Sequence, residues 1–167
     1  MEKEIINRIE KSNLIQVNLD EFYPLGERIL LDITDFLVEG LVLREKPFRE
    51  TVAQKDWSIY QDKFVAVLFK DDAIVPLWAY MLIASKIAPF AKQVVLGNLE
   101  TLEIAIYNCI FEQHDFSLYQ QKSIIIKGCG KHPIPETVFV DFLIRTQQVA
   151  KNILFGEACS SVPVYKR

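Results

Sequence analysis

The chain has 167 residues, of which half are apolar and a quarter are charged, and its formal net charge is −3. This length fits one compact domain with a sizeable core. The acidic balance and the absence of a basic stripe argue against a protein that binds nucleic acid. The longest apolar run, 73–84, is shorter than the roughly 20 residues that a membrane span requires.

The three cysteines follow an N-terminus that has no signal-peptide pattern. Disulfides are rare in a reducing cytosol, and a few cysteines without a leader are typical of that compartment. The sequence therefore predicts a soluble, cytoplasmic protein with neither a membrane nor a nucleic acid as its partner.

The first 55 residues alternate between helix-like and strand-like patterns. Helical spacing and short apolar runs separate the two kinds of element, and a proline suits the first turn of a helix. The segment 24–34 is ambiguous and receives no assignment. The predicted elements are a helix over 4–11, strands over 15–19 and 36–44, and a helix from Pro47 to Gln54.

The remainder of the chain predicts an internal duplication. Residues 56–100 match 115–159 without a gap when the chain is shifted by 59 positions, and nine positions are identical. About three identities are expected by chance for ordinary composition. The identical residues also stand at turns and element ends, such as Pro76 with Pro135 and Gly97 with Gly156.

Each copy is predicted to form a β-α-β unit. Unbroken apolar runs at 64–69 and 123–127 are typical of parallel strands that are buried on both faces. A proline stands before each predicted helix of about fourteen residues, where its missing N–H is tolerated. Short second strands at 94–96 and 153–155 end at glycine.

Between the copies, Asn98 can cap a helix that runs to about Phe111. Cys109 falls on the predicted apolar face of this helix and is expected in the core. Alternating strands and helices predict an α/β fold with a central, mostly parallel sheet flanked by helices. The predicted single domain comprises an N-terminal segment 1–55, a first copy 56–100, a linking helix 101–114, a second copy 115–159 and a tail 160–167.

The loops that follow the strands are the predicted site, because ligands of open α/β sheets bind at the carboxyl ends of the strands. Cys129 and His132 lie in the loop after the first strand of the second copy, and Cys159 follows its last strand. Asp72 follows the corresponding strand of the first copy. Thiolate, imidazole and carboxylate ligands suit zinc or iron. The alternative is that the cysteines are small residues at crowded strand ends and that His132 is a solvated loop residue.

A second interpretation makes Cys129 a nucleophile. It lies between Gly128 and Gly130, beside Lys131 and His132, and close to a predicted helix start. These are the surroundings of reactive thiolates. His132 would then act as general base or orient the thiol, while the glycine-flanked backbone and Lys131 would bind an anion or oxyanion.

Five segments are similar to one protein family. They are EGLVLREK at 39–46, DWSIY at 56–60, AIVPLWAYM at 73–81, KGC at 127–129 and GEACSSVP at 156–163. Together they resemble the uncharacterised bacterial proteins grouped as domain of unknown function 2480, over the chain from Phe36 onward. The resemblance implies no established activity, and it associates the chain loosely with iron–sulphur cluster assembly.

Three functional hypotheses follow. The first is a small metal-binding accessory protein, in iron–sulphur or other metal handling. The second is a thiol-dependent enzyme or redox protein, which includes a reversible bond between Cys129 and Cys159. The third is a non-catalytic scaffold. A homodimer or another protein partner would cover the apolar N-terminal helix and the tail.

Overall fold

A computed structural model of the chain describes residues 14–37, 43–68, 75–157 and 159–167. Within these ranges, strands alternate with helices along most of the sequence. The strands are β1 Leu14–Asn18, β2 Arg28–Asp32, β3 Phe64–Leu68, β4 Gln93–Leu96, β5 Ser123–Lys127, β6 Asn152–Phe155 and β7 Val162–Lys166. The helices are α1 Glu45–Gln54, α2 Leu77–Ile87, α3 Leu99–Gln113 and α4 Glu136–Thr146.

The described strands form two sheets. One has the order β2-β3-β4 with parallel pairing throughout, and the other has the order β1-β5-β6-β7 with only β7 antiparallel. The predicted α/β class with mostly parallel strands is confirmed. The expected single central sheet is wrong, because β3 and β5 each pair with a different N-terminal strand and so become the buried inner strands of separate sheets.

The chain divides into two compact units, with one boundary between Tyr23 and Pro24 and the other within α3. We name the units by their order in the sequence: the inner unit comprises residues 24–106, and the outer unit comprises the flanking residues 1–23 and 107–167. Each unit contains one of the sheets. Whether the two units make one domain, as the length predicts, stays a prediction.

The two predicted copies have the same elements at the same spacing. The bounds of β3, α2 and β4 become those of β5, α4 and β6 when 59 is added. Backbone conformation repeats as well, since φ is 59° at Asp62 and 56° at Gln121, and 141° at Gly97 and 119° at Gly156. Each helix has 11 residues, three fewer than expected. A common origin of the two segments stays a prediction.

The N-terminal predictions had mixed outcomes. The strand at 15–19 and the helix ending at Gln54 are confirmed within one or two residues. The segment 24–34, which received no assignment, contains β2. The charged residues Arg28 and Asp32 at the ends of β2 leave an apolar run that is too short to be recognised as a strand. At 36–44, Phe36 ends a 3-10 turn and the last two residues have no regular structure. Residues 38–42 and the predicted helix at 4–11 lie outside the described ranges.

Each unit has its own apolar core. In the inner unit Phe48, Ile83 and Ile87 are fully buried beside β3. In the outer unit the buried face of α3 presents Tyr107 and Phe111, and the Tyr107 hydroxyl donates to the Leu19 carbonyl at 3.0 Å.

The expectation that Cys109 lies in the core is wrong, because it is exposed. Tyr107 and Phe111 are larger apolar residues of the same helix, and they occupy the core side instead. Within the described ranges, none of the helices has the length and apolarity that crossing a membrane would require.

Candidate functional site

A cleft lies at the carboxyl ends of β1 and β5 in the outer unit, where the topology of open sheets places ligands. Its volume is about 350 Å³. The loop from β5 to α4 forms most of the wall. The lining residues are Asn18, Lys127, Gly128, Cys129, Gly130, His132, Pro133, Ile134 and Phe139. Cys129 and His132, which the sequence singled out, therefore line one cleft.

The two glycines of this loop allow close approach by neighbouring side chains. A Cβ on Gly128 would lie 2.5 Å from Cζ of Phe155, and one on Gly130 would lie 2.5 Å from Oδ1 of Asp20. Both distances are shorter than a real contact permits. The absence of a side chain at Gly130 is thus what lets the Asp20 carboxylate reach the loop.

Asp20 holds the loop from the end of β1. It lies in the 3-10 turn Leu19–Phe22, where the side chain of Asn18 accepts from the Asp20 N–H at 3.1 Å. Its carboxylate accepts from the backbone N–H groups of Lys131 at 2.5 Å and His132 at 3.1 Å. The Lys131 N–H, together with the contacts from His132, holds the pKa of Asp20 below its ordinary value.

The imidazole of His132 is held on two sides. Its Nδ1 lies 3.2 Å from Oδ1 of Asp20, and its ring stacks on Tyr23 with 3.8 Å between centroids and 8° between planes. An ionised carboxylate only accepts hydrogen bonds, so it favours the tautomer with the proton on Nδ1. That tautomer leaves Nε2 able to accept a proton or to bind a metal.

Asp20 was missed by the sequence reasoning. The rule that was applied to the loops of the two copies also covers the loop after the strand predicted at 15–19. An asparagine followed two residues later by an aspartate, at the end of such a strand, is typical of an Asx turn. The sequence shows that turn, but it does not show that the Asp20 carboxylate contacts a loop more than a hundred residues away.

The structure brings only part of the predicted metal site together. Cys129 and Cys159 are exposed free thiols that follow neighbouring strands, since β5 pairs with β6. Asp72 lies outside the described residues, and β3, the strand before it, belongs to the other sheet. Among the residues that the structure describes, no group of three or more His, Cys, Asp and Glu side chains can hold a metal ion. The four-ligand site stays a prediction.

The predicted anion cradle is partly occupied by the protein itself. The backbone N–H groups of Lys131 and His132 point at the Asp20 carboxylate. The nearby ammonium of Lys127 lies 3.7 Å from a carboxylate oxygen of Glu157. An incoming anion would therefore compete with two resident carboxylates.

A family model described as "Protein of unknown function (DUF2480)" matches residues 3–167. No curated protein and no solved structure matches the chain.

Proposed function

The chain belongs to this family of unknown function, and we propose from its cleft that it is a thiol-dependent enzyme or redox protein with Cys129 as the nucleophile. The observation that supports this is the contact between Asp20 and Nδ1 of His132, in a cleft that an exposed thiol also lines. A nucleophile, a base and a group that orients the base are the parts of cysteine-dependent catalysis.

In this proposal each group has a defined role. Nε2 of His132 accepts the thiol proton of Cys129, and the resulting thiolate forms a bond to an electrophilic atom of the substrate. The bond from that atom to the leaving group breaks, and the leaving group departs with the bonding electrons and takes the proton from the imidazolium. Asp20 fixes the tautomer of the imidazole and stabilises the imidazolium that forms. Tyr23 limits rotation of the ring by stacking. Asp20 and Tyr23 are positioning residues, and Cys129 and His132 are the catalytic ones.

Metal handling is the second candidate, and the same contact favours it. Histidines that bind metals usually donate a hydrogen bond from the N–H of the other ring nitrogen to a carboxylate, and the Asp20 carboxylate would accept that bond here. Cys129 and His132 would then be ligands of zinc or iron, including iron in transit to a cluster. Cys159 would have to move to join them, because the described residues contain no group of three such ligands. A scaffold without chemistry is the remaining alternative.

The proposed setting is the cytosol, because exposed thiols persist there in the reduced state. The acidic charge speaks against nucleic acid as the partner. A small electrophilic substrate or a partner protein fits the open cleft better.

The test measures the alkylation rate of Cys129 in a Cys109→Ser/Cys159→Ser background. We expect alkylation at neutral pH at least about tenfold faster than that of a free thiol, which has a pKa near 8.5. Asp20→Ala and His132→Ala should slow it, and Gly130→Ala should act like Asp20→Ala because its Cβ displaces the carboxylate. Thr34→Ala is the matched control, since Thr34 stands at the corresponding position after β2.

Elemental analysis of anaerobically purified protein separates the two candidates. Near-stoichiometric zinc or iron that is lost in Cys129→Ser and Cys159→Ser, but kept in Cys109→Ser, would favour metal handling. A thiol that reacts no faster than a free cysteine would overturn the enzyme proposal. Absence of both properties would leave the scaffold.

A further inference from the structure

The two sheets differ at the side of β4 and β6 that faces away from β3 and β5, although β4 and β6 correspond to each other. In the outer unit, β6 pairs on one side with β5 and on the other with β7, in antiparallel orientation. In the inner unit, β4 occupies the corresponding position beside β3. Among the described residues, no strand pairs with the other edge of β4.

The backbone of β4 presents usable groups at this edge. The Gly97 N–H donates to the Val67 carbonyl of β3 at 2.9 Å. Successive residues of a strand direct their backbone groups to opposite sides. Val95 therefore directs its backbone N–H and C=O groups toward β3, and Val94 and Leu96 direct theirs away from β3.

The corresponding residues of the outer unit are the ones that β7 uses. Adding 59 to Val94 and Leu96 gives Ile153 and Phe155, which pair with Tyr165 and Val162 of β7. The backbone of β4 thus repeats the arrangement that accepts an antiparallel strand elsewhere in the same chain.

The side chains around β4 are apolar and exposed. A groove of about 190 Å³ runs between β4 and α2 and is lined by apolar and aromatic side chains only. Leu77, Met81 and Leu96 are 66%, 63% and 54% exposed. An exposed apolar edge strand is a template for pairing with another chain.

The edge of the other sheet is protected against such pairing. β7 contains Pro163 and Lys166, and its pairing with β6 has an irregular register. Proline, lysine and bulges are the means by which natural edges avoid another strand. The three residues from Val94 to Leu96 contain none of them.

We propose that β4 pairs with β4 of a second copy of this chain, in antiparallel orientation, so that two three-stranded sheets become one continuous sheet. A two-fold axis brings two identical strands together in antiparallel orientation, which is the orientation of the β6–β7 pair. The axis also places the exposed apolar side chains of β4 and α2 against their own copies. This surface is thus complementary to its own copy in both hydrogen bonding and apolarity.

This interface is independent of the proposed chemistry, because it contains no residue of the cleft. The test is sedimentation equilibrium of the full chain up to about 100 μM, which detects even weak micromolar association. We expect a concentration-dependent dimer, and a dissociation constant at least about tenfold higher for Leu96→Lys, since the axis sets two lysines close together. Leu118→Lys is the matched control, because Leu118 is also 54% exposed but lies in the outer unit.

Hydrogen exchange locates the interface. The amides of Val94 and Leu96 should exchange more slowly in the dimer than in the dilute monomer. Circular dichroism checks that each variant is folded, and Met81→Lys repeats the test from α2 if Leu96→Lys does not fold. A wild-type chain that stays monomeric at about 100 μM would overturn the proposal, as would a Leu96→Lys dimer as tight as the wild type.

Discussion

The inner and outer units share their order of elements, yet among the described residues the candidate site lies in the outer unit. At the spacing of 59, Cys129 corresponds to Lys70 and His132 to Ala73. At the spacing of 14 that relates β1 to β2, Asp20 corresponds to Thr34, which hydrogen-bonds only locally to Asp32 in the contacts described. The sheet and helix thus form a frame common to both units, and a few loop residues distinguish the unit that contains the candidate site.

A second difference lies where α1 and α3 meet the following turn. In the inner unit the ammonium of Lys55 lies 5.7 Å from the ring centroid of Phe36 and 5.8 Å from that of Trp57. In the outer unit His114 corresponds to Lys55, and its ring contacts Phe22 and Phe116 edge to face. One unit places an ammonium group near two rings, and the other places an imidazole there, whose charge depends on pH.

The largest expected effect comes from the cores at matched positions. Ile83 and Phe142 correspond at the spacing of 59, and both are fully buried. We expect Phe142→Ala to lower the free energy of unfolding by about 3–5 kcal/mol and Ile83→Ala by about 2–5 kcal/mol, because each leaves a cavity. Denaturant unfolding measures both. Two separate transitions, each shifted by one variant, would show that the units unfold independently, and a loss under about 1 kcal/mol would contradict the core assignment.

A buried hydroxyl allows a stabilising change. Thr146 is fully buried at the end of α4, and its Oγ1 has no hydrogen-bond partner among the described residues. The corresponding residue of α2 is Ile87, which is apolar and equally buried. Thr146→Val should raise the free energy of unfolding by about 1 kcal/mol, since it removes an unsatisfied polar group.

The control for this change is Thr51→Val, which alters an exposed threonine that donates to the Pro47 carbonyl. Its effect should stay within about 0.5 kcal/mol. Destabilisation by Thr146→Val would mean that the hydroxyl has a partner, such as a bound water.

The smallest expected effect concerns pH. Burial lowers the pKa of His114 below its ordinary 6.5, although Asp115 opposes this. The folded state therefore binds fewer protons than the unfolded state, so His114 causes a loss of stability as pH falls from about 6.5 toward the folded pKa. The free energy of unfolding of His114→Phe should decline less over this range than that of the wild type.

Lys55→Met in the inner unit is the companion variant. The pH profile of Lys55→Met should parallel that of the wild type, because this variant keeps His114. Equal pH profiles for wild type and His114→Phe would show that other groups cause the acid sensitivity.

Local sequence patterns determined most elements of the two copies. The structure confirms the class of fold, the strands β3 and β5, and the short strands before Gly97 and Gly156. The strands β3 and β5 were recognisable because burial on both faces leaves an unbroken apolar run. The missed strand β2 has charged ends, and Phe36, the first residue of the expected strand at 36–44, is the last residue of a 3-10 turn. β2 takes its extended structure from pairing with β3, which is distant in sequence, so local composition predicts it poorly.

The sequence also predicted only one part of the candidate site. The sequence by itself placed Cys129 and His132 on one loop at the carboxyl end of a buried strand, because both residues belong to one short segment after that strand. Only the tertiary structure decided that Asp20 holds this loop, that Tyr23 stacks on the imidazole, and that β3 and β5 lie in separate sheets. Pairing of β1 with β5 connects residues more than a hundred positions apart, and no local pattern specifies which strands will share a sheet.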